Sequence, residues 1–167
     1  TQLSMCVGMD LNRDNLENID NGACNRVLTE MVSNKSPLIQ NILLIWGDSS
    51  KNVHKSLAGK DKLSKYYLDV MSGNIPIGDV ENSKLRRFHG ISSMKENTGF
   101  DVVSSQFSVH YYFENEVNLN GFLQNVSENL VKGGKFIGTC FNGKRVFEAL
   151  KYNNVIQYSE EENPIWK

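Results

Sequence analysis

Between Ser104 and Phe113 the chain reads SSQFSVHYYF, placing a glutamine, a histidine and two tyrosines directly after an apolar stretch. An amide, an imidazole and a phenol each need hydrogen-bond partners once buried, and a flat aromatic ligand would supply them. Two acids stand in comparable places. Asp10 follows Leu3 to Met9 (LSMCVGM), and Asp48 with Ser49 follows Ile42 to Trp46 (ILLIW). A carboxylate at the end of such a strand can accept hydrogen bonds from both hydroxyls of a ribose, and a second can accept from the exocyclic amine of an adenine. Each residue also has a structural reading. Asp10 suits an N-cap or a turn, and Asp-Ser-Ser is a capping sequence. Gln106 and His110 could satisfy backbone groups while Phe107, Tyr111, Tyr112 and Phe113 pack. The conjunction carries the functional reading, because ligands of open parallel sheets gather at the carboxyl ends of strands.

The elements that must hold these residues alternate. Leu3–Met9, Ile42–Trp46, Phe100–Val103 and Phe136–Cys140 are short continuous apolar runs, the pattern of strands covered on both faces. Arg13 to Val32 predicts one or two helices with Gly22 as an interruption. Leu119, Phe122, Leu123, Val126, Leu130 and Val131 recur at helical spacing, and Lys132-Gly133-Gly134 predicts a basic last turn and a glycine stop. Val146, Phe147 and Leu150 predict a further short helix. Strands alternating with helices imply right-handed crossovers and a doubly wound α/β sheet. The stretch from Lys51 to Asn97 is longer than a crossover needs; it predicts a helix near Lys62–Met71 and then a loop-rich insertion around 72–97. Its basic run Lys84 to His89 could touch RNA phosphates, with a solvated face as the plainer reading. Ser159 to Pro164 reads as a loop.

Composition narrows the rest. The chain has 167 residues, 40% of them hydrophobic, as expected of one domain with a real core. Eighteen Lys and Arg against nineteen Asp and Glu give no global field for nucleic acid or an anionic membrane. Cys6, Cys24 and Cys140 form no C-x-x-C pair, so neither a zinc site nor a disulfide framework is suggested, and a reducing compartment fits. No apolar run reaches the ~18 residues of a membrane span, and no charged-then-apolar leader opens the chain. The chain starts at Thr1 and not at methionine, which predicts that sequence upstream has been removed or was not sequenced.

The segment Phe100-Asp101-Val102-Val103-Ser104-Ser105-Gln106-Phe107, then His110-Tyr111 and Phe113-Glu114, resembles the F-D-x-x-S-x-Q-F-x-x-H-Y-x-F-E signature of messenger RNA cap guanine-N7 methyltransferases. Gly133-Gly134-Lys135-Phe136-Ile137-Gly138-Thr139 is similar to the G-G-x-F-I-G-T segment that follows in that family, and Asn142 sits at its P-N asparagine. Asp10 in G-M-D-L and Asp48 in G-D-S-S fall at the expected intervals. Together with DLNRDNLEN (10–18), the chain is most similar to the versions carried by large DNA viruses. The resemblance implies a Rossmann-like class I methyltransferase sheet, mostly parallel, and S-adenosylmethionine as methyl donor, with no metal. It implies that Asp10 binds the donor's ribose, that Asp48 and Ser49 address its adenine and that Gln106 lines its methionine end. His110 and Tyr111 would frame the cap guanine, Tyr111 lying between the two ligands. Arg26 resembles an arginine that approaches the cap, although Val27 replaces the tyrosine that follows it in the family. Capped RNA, and other domains of a capping enzyme, are the implied partners; no membrane is. The implied setting is intracellular, cytoplasmic or nuclear, and a viral factory or virion for a viral protein.

One motif is missing. The family's strand followed by D-x-G-x-G-x-G, which wraps the methionine part of the donor, has no counterpart here, and neither do its lysine-bearing entry or its C-terminal half. The expectation is therefore a partial methyltransferase domain over residues 1–167, truncated at both ends and lacking the first, central strand. Two other readings stay open: a methyltransferase of this fold with another substrate, and a non-catalytic subunit of a capping complex. The set Asp10, Asp48, Gln106, His110 and Tyr111 argues against the second, and the missing glycine loop argues for it.

Overall fold

The computed structural model describes residues 4–34 and 41–151, so the expectations for Leu3 and for the loop 159–164 lie outside the described residues. Strand β1 (Cys6–Asp10) pairs in parallel with β2 (Ile42–Trp46), with Cys6 opposite Ile42 and Asp10 opposite Trp46. The two strands therefore end level. Between them run α1 (Arg13–Glu17) and α2 (Ala23–Asn34). The side chain of Asn12 caps α1 by accepting from the Asp14 amide, and Gly22 separates the helices where a Cβ would strike the Asn18 backbone.

After β2 the chain turns through residues 47–61 into α3 (Lys62–Ser72). Asp61 accepts from the Ser64 amide at its start, and Gly73 ends it in the left-handed region at φ 73°. The stretch that follows has turn-like backbone but a packed interior. Its two 3-10 turns, Ile77–Asp79 and Leu85–Phe88, bring Leu85 and Phe88 against α3 and β2, and Val80 beside them is fully buried. Ile45, Leu68 and Val70 are also fully buried, each worth about 1.5–3 kcal/mol of apolar transfer. The basic run lies on the outer side of this packing, where Lys84, Arg86 and Arg87 stay exposed while Arg86 Nε donates to the Val80 carbonyl at 2.6 Å and Arg87 Nη1 to Asn41 Oδ1 at 2.9 Å.

Strand β3 (Phe100–Ser105) and strand β4 (Leu130–Gly138) form a second parallel pair, joined by a 3-10 turn (Val109–Glu114) and by α4 (Glu116–Asn129), which Asn115 caps. Helix α5 (Gly143–Leu150) follows, capped by Asn142. Here the structure corrects the sequence reading. Leu130 and Val131 are not helical, and Lys132-Gly133-Gly134 does not stop a helix. Strand β4 begins at Leu130, opposite Phe100, and the register then jumps so that Val102 faces Lys135. The extra residues form a bulge. Gly133 turns it at φ 85°, and a Cβ on Gly134 would press on the Phe100 and Val131 carbonyls. The stripe on α4 is also shifted. Its buried residues are Phe122, Asn125 and Asn129, whereas Leu123 is half exposed.

The four strands form two separate parallel pairs, and among the described residues no backbone ladder joins β1 to β3. Helix α4 is one of the links between the pairs, beside Phe100 of β3, which packs against the core under β2. Its Asn125 bonds to the loop after β2, and its Asn129 accepts from Ser92 Oγ.

Candidate ligand site at the strand tips

Every strand ends in polar residues at its carboxyl end. Asp10 closes β1, Asp48 and Ser49 follow β2, Gln106 follows β3 and Thr139 follows β4. The tips of β1 and β2 are tied by the Gly47 amide, which donates to the Asp10 carbonyl at 2.9 Å. The Asp10 carboxylate accepts from the Asn12 amide at 2.8 Å and from Asn15 Nδ2 at 3.1 Å, so it organises the start of α1. It also lines a hollow of about 440 Å³ with Asn15, Asn21 and Arg26, whose Nη1 donates to the Asn21 carbonyl at 2.6 Å.

Asp48 is held rigidly. Its Oδ1 accepts from the Ser50 amide (3.0 Å) and hydroxyl (2.7 Å), and Lys60 Nζ lies 3.8 Å from Oδ2. Burial opposes its ionisation, but the Ser50 hydrogen bonds and the Lys60 and Lys51 ammonium groups outweigh it and hold the carboxyl below its usual range. Ser49 beside it hydrogen-bonds through Oγ to the Tyr112 phenol. Burial pushes that phenol up; the Ser49 hydrogen bond opposes the shift, and the Asp48 and Asp10 carboxylates add to it. The Ser49–Tyr112 bond joins the end of β2 to the turn after β3, and the Gly47–Asp10 bond ties the end of β1 to the same loop.

That turn has its own supports. Gln106 donates from Nε2 to Ser104 Oγ at 2.9 Å and accepts at Oε1 from Thr139 Oγ1 at 3.0 Å. Thr139 Oγ1 in turn accepts from the Phe107 amide at 2.8 Å, where the backbone takes a left-handed φ of 51°. Such a conformation at a bulky residue is strained and needs a surround that enforces it. His110 packs between Tyr111 (centroids 4.2 Å apart) and Phe141 (4.6 Å), and its Nδ1 is buried without a hydrogen-bond partner. Tyr111 is 70% exposed.

The structure thus places Asp10 with Arg26 on one hollow, Asp48 with Ser49 against Tyr112, and Gln106 and the His110–Tyr111 pair on the turn next to them. Sequence reasoning passed over two residues here. Tyr112 reads in the sequence as one more packing aromatic, whereas Asn125, the polar member of an apolar helix stripe, does carry a signal. Among the described residues no group of three or more His, Cys, Asp or Glu side chains could hold a metal ion. Likewise, no helix among them is long and apolar enough to cross a membrane.

Parallel strand pairs with acids, an amide and an imidazole–phenol pair at their carboxyl ends define an α/β protein whose candidate ligand site lies at its strand tips. Comparison with known proteins names the family: the chain belongs to the mRNA (guanine-N(7))-methyltransferase domain family, which matches residues 47–166. An mRNA cap guanine-N(7) methyltransferase of Aspergillus oryzae is 37% identical over 92 residues, covering 53% of this chain and 17% of the relative. One from Schizosaccharomyces pombe is 46% identical over 52 residues, covering 31% and 14%. A probable mRNA-capping enzyme of Acanthamoeba polyphaga mimivirus is 23% identical over 158 residues, 94% of this chain and 12% of the viral protein. The chain spans less than a fifth of the length of these curated relatives. No solved structure matches it.

Proposed function

We propose that the chain is part of an S-adenosylmethionine-dependent mRNA cap guanine-N7 methyltransferase. The observation that carries this reading is the Ser49–Tyr112 bond, which joins the Asp48 loop, following β2 at the level of Asp10, to the His110–Tyr111 turn. Asp10 takes the ribose hydroxyls of the methyl donor, Asp48 with Ser49 the adenine, and Gln106 with Tyr111 the methionine end. His110, Tyr111 and Arg26 frame the cap guanine. The unpartnered, buried Nδ1 of His110 suits a polar ligand edge, and the planar residues of the turn suit a purine.

The donor supplies a methyl group on a sulfonium. As the N7–carbon bond forms, the carbon–sulfur bond breaks with its electron pair left on sulfur, and the positive charge passes to the guanine ring. N7 attacks with a lone pair and loses no proton, so the chain needs no general base. Its residues act by alignment and by electrostatics. His110 and Tyr111 orient guanine, and the acids at the strand tips fix the nucleoside.

The finer fold in this reading is a doubly wound, Rossmann-like sheet in the order β2, β1, central strand, β3, β4. The central strand and its glycine-rich turn lie outside residues 1–167. Two parallel pairs with no ladder between β1 and β3 support that order. Residues 1–167 then form a partial methyltransferase domain, 72–97 its insertion, and other capping domains partners within a longer polypeptide.

The test is methyl transfer to capped RNA by a polypeptide extended at both ends, in which His110→Ala abolishes transfer. Residues 1–167 alone bind the donor weakly or not at all; micromolar affinity by calorimetry for this piece would overturn the assignment of the missing strand.

A further inference from the structure

Ser49 is held from two directions by the same stretch of chain. Its Oγ bonds to the Tyr112 hydroxyl, and its carbonyl accepts from Asn125 Nδ2 at 2.8 Å. The second hydrogen of that amide goes to the Lys51 carbonyl at 2.6 Å, and Asn125 Oδ1 accepts from the Val53 amide at 3.2 Å. Both donors of the Asn125 side chain and its oxygen are thus committed to one loop, and the side chain is buried. A helix residue that served packing alone would be apolar, as Phe122 is one turn earlier. The helix also comes as near to the loop as a backbone can, since a Cβ at Gly121 would overlap the Ser50 carbonyl oxygen. At the other end Tyr112 is fixed by stacking on Phe122, with centroids 4.0 Å apart and planes 8° from parallel.

We propose that Tyr112 and Asn125 are positioning residues that lock the Asp48–Ser49 loop to the His110–Tyr111 turn, so that the nucleoside and guanine subsites keep one fixed separation. The inference rests on the reading of the two subsites given above. The loop bears Ser49, the turn bears His110 two residues before Tyr112, and α4 grips the loop through Asn125. A shift of either subsite must break the Ser49–Tyr112 bond or drag α4. Methyl transfer between two bound molecules loses rate steeply with misplacement of the reacting atoms, which is where such a lock acts.

The test uses the full natural polypeptide and steady-state methyl transfer. Tyr112→Phe keeps the stacked ring and removes only the bond to Ser49. It raises KM for both the methyl donor and capped RNA about 2- to 10-fold and lowers kcat, with the melting temperature held near that of the parent. Ser49→Ala costs less in the Tyr112→Phe background than in the parent, because the bond the two residues share is already gone and only the adenine contact is left to lose. Asn125→Ala leaves three backbone groups without their partner and lowers kcat/KM about 10- to 100-fold. Wild-type KM and kcat in Tyr112→Phe, or fully additive losses for the Ser49 and Tyr112 changes, would overturn the proposal; a structural role alone would move melting temperature and leave the two KM values untouched. A parent polypeptide that transfers no methyl to capped RNA defeats the functional reading and the lock with it, an outcome distinct from an active parent with silent variants.

Discussion

The β2–α3 region and the β3–β4–α5 region have similar apolar content and different burial. In the first, Ile45, Leu68, Val70 and Val80 are removed from solvent, closed over by the 3-10 turns of the 72–97 stretch. In the second, Val102 and Ile137 are about half exposed on the strands, and Phe147 on α5 is 69% exposed. Val102 and Ile137 fall on the same face, since Val102 pairs with Lys135 and Ser104 with Ile137. An apolar side chain stabilises only when something covers it, and cover is a property of the partner element as well as of the strand. The first region completes its own core; the second has the sequence of a buried strand pair, but among the described residues its apolar faces stay open.

Substitutions can sharpen that contrast or break it. The largest effect belongs to the closed core: Leu68→Ala costs about 2–5 kcal/mol in urea unfolding, and a cost below 1 kcal/mol would remove the distinction between the regions. Next comes the seam between them. Gly121→Ala forces the Ser50 carbonyl away from α4 and costs about 1–3 kcal/mol; hydrogen exchange should then accelerate across residues 49–54, and an unchanged exchange pattern would mean that the seam adapts freely.

A smaller effect is linked to pH. The Asp48 carboxyl is held below its usual range in the folded state, so its contribution is present at neutral pH and fades as pH falls through the folded value. Asp48→Asn should therefore be less stable than the parent at pH 7, by under about 1 kcal/mol for a partly exposed group. The two urea midpoints converge as pH falls below the usual carboxylate range. A difference that grew toward acid would have the wrong sign. Smallest of all, Ile137→Ser and Phe147→Ser change unfolding free energy by under about 0.5 kcal/mol while lowering the fluorescence of a dye that binds exposed apolar surface. Losses like that of Leu68→Ala at either position would show the second region to be as closed as the first.

Much of the scaffold was legible because the signals were local. ILLIW gave strand β2 with both its bounds, and Asp61 and Gly73 bracket α3 as capping chemistry predicts. The end of α4 was not legible: Leu130 and Val131 continue its apolar period, and only Phe100, distant in sequence, draws them into a strand. Glycines 133 and 134, read as a helix stop, are instead what a bulge requires. In the site, the residue types that could bind a nucleoside and a purine stood out from the chain, and the family signature ordered them. Their grouping did not. That Asp10 shares a hollow with Arg26, and that Tyr112 and not Tyr111 reaches Ser49, depends on how α2 and α4 lie against the strands, which no spacing encodes. Asn125 is the intermediate case. Its place in an apolar stripe marks it, but its three partners in the loop are 72 to 76 residues away.

Trp46 ends β2 opposite Asp10, its indole Nε1 donating to the Leu11 carbonyl at 3.0 Å while the Arg13 guanidinium lies over the ring at 5.0 Å. The indole is thus wired to the first turn that Asp10 organises, and its emission depends on that cation and on that carbonyl. Occupation of the Asp10 hollow should alter its fluorescence, giving a label-free optical readout of the β1 tip. With Trp166→Phe to remove the second tryptophan of the chain, that signal would come from one known position.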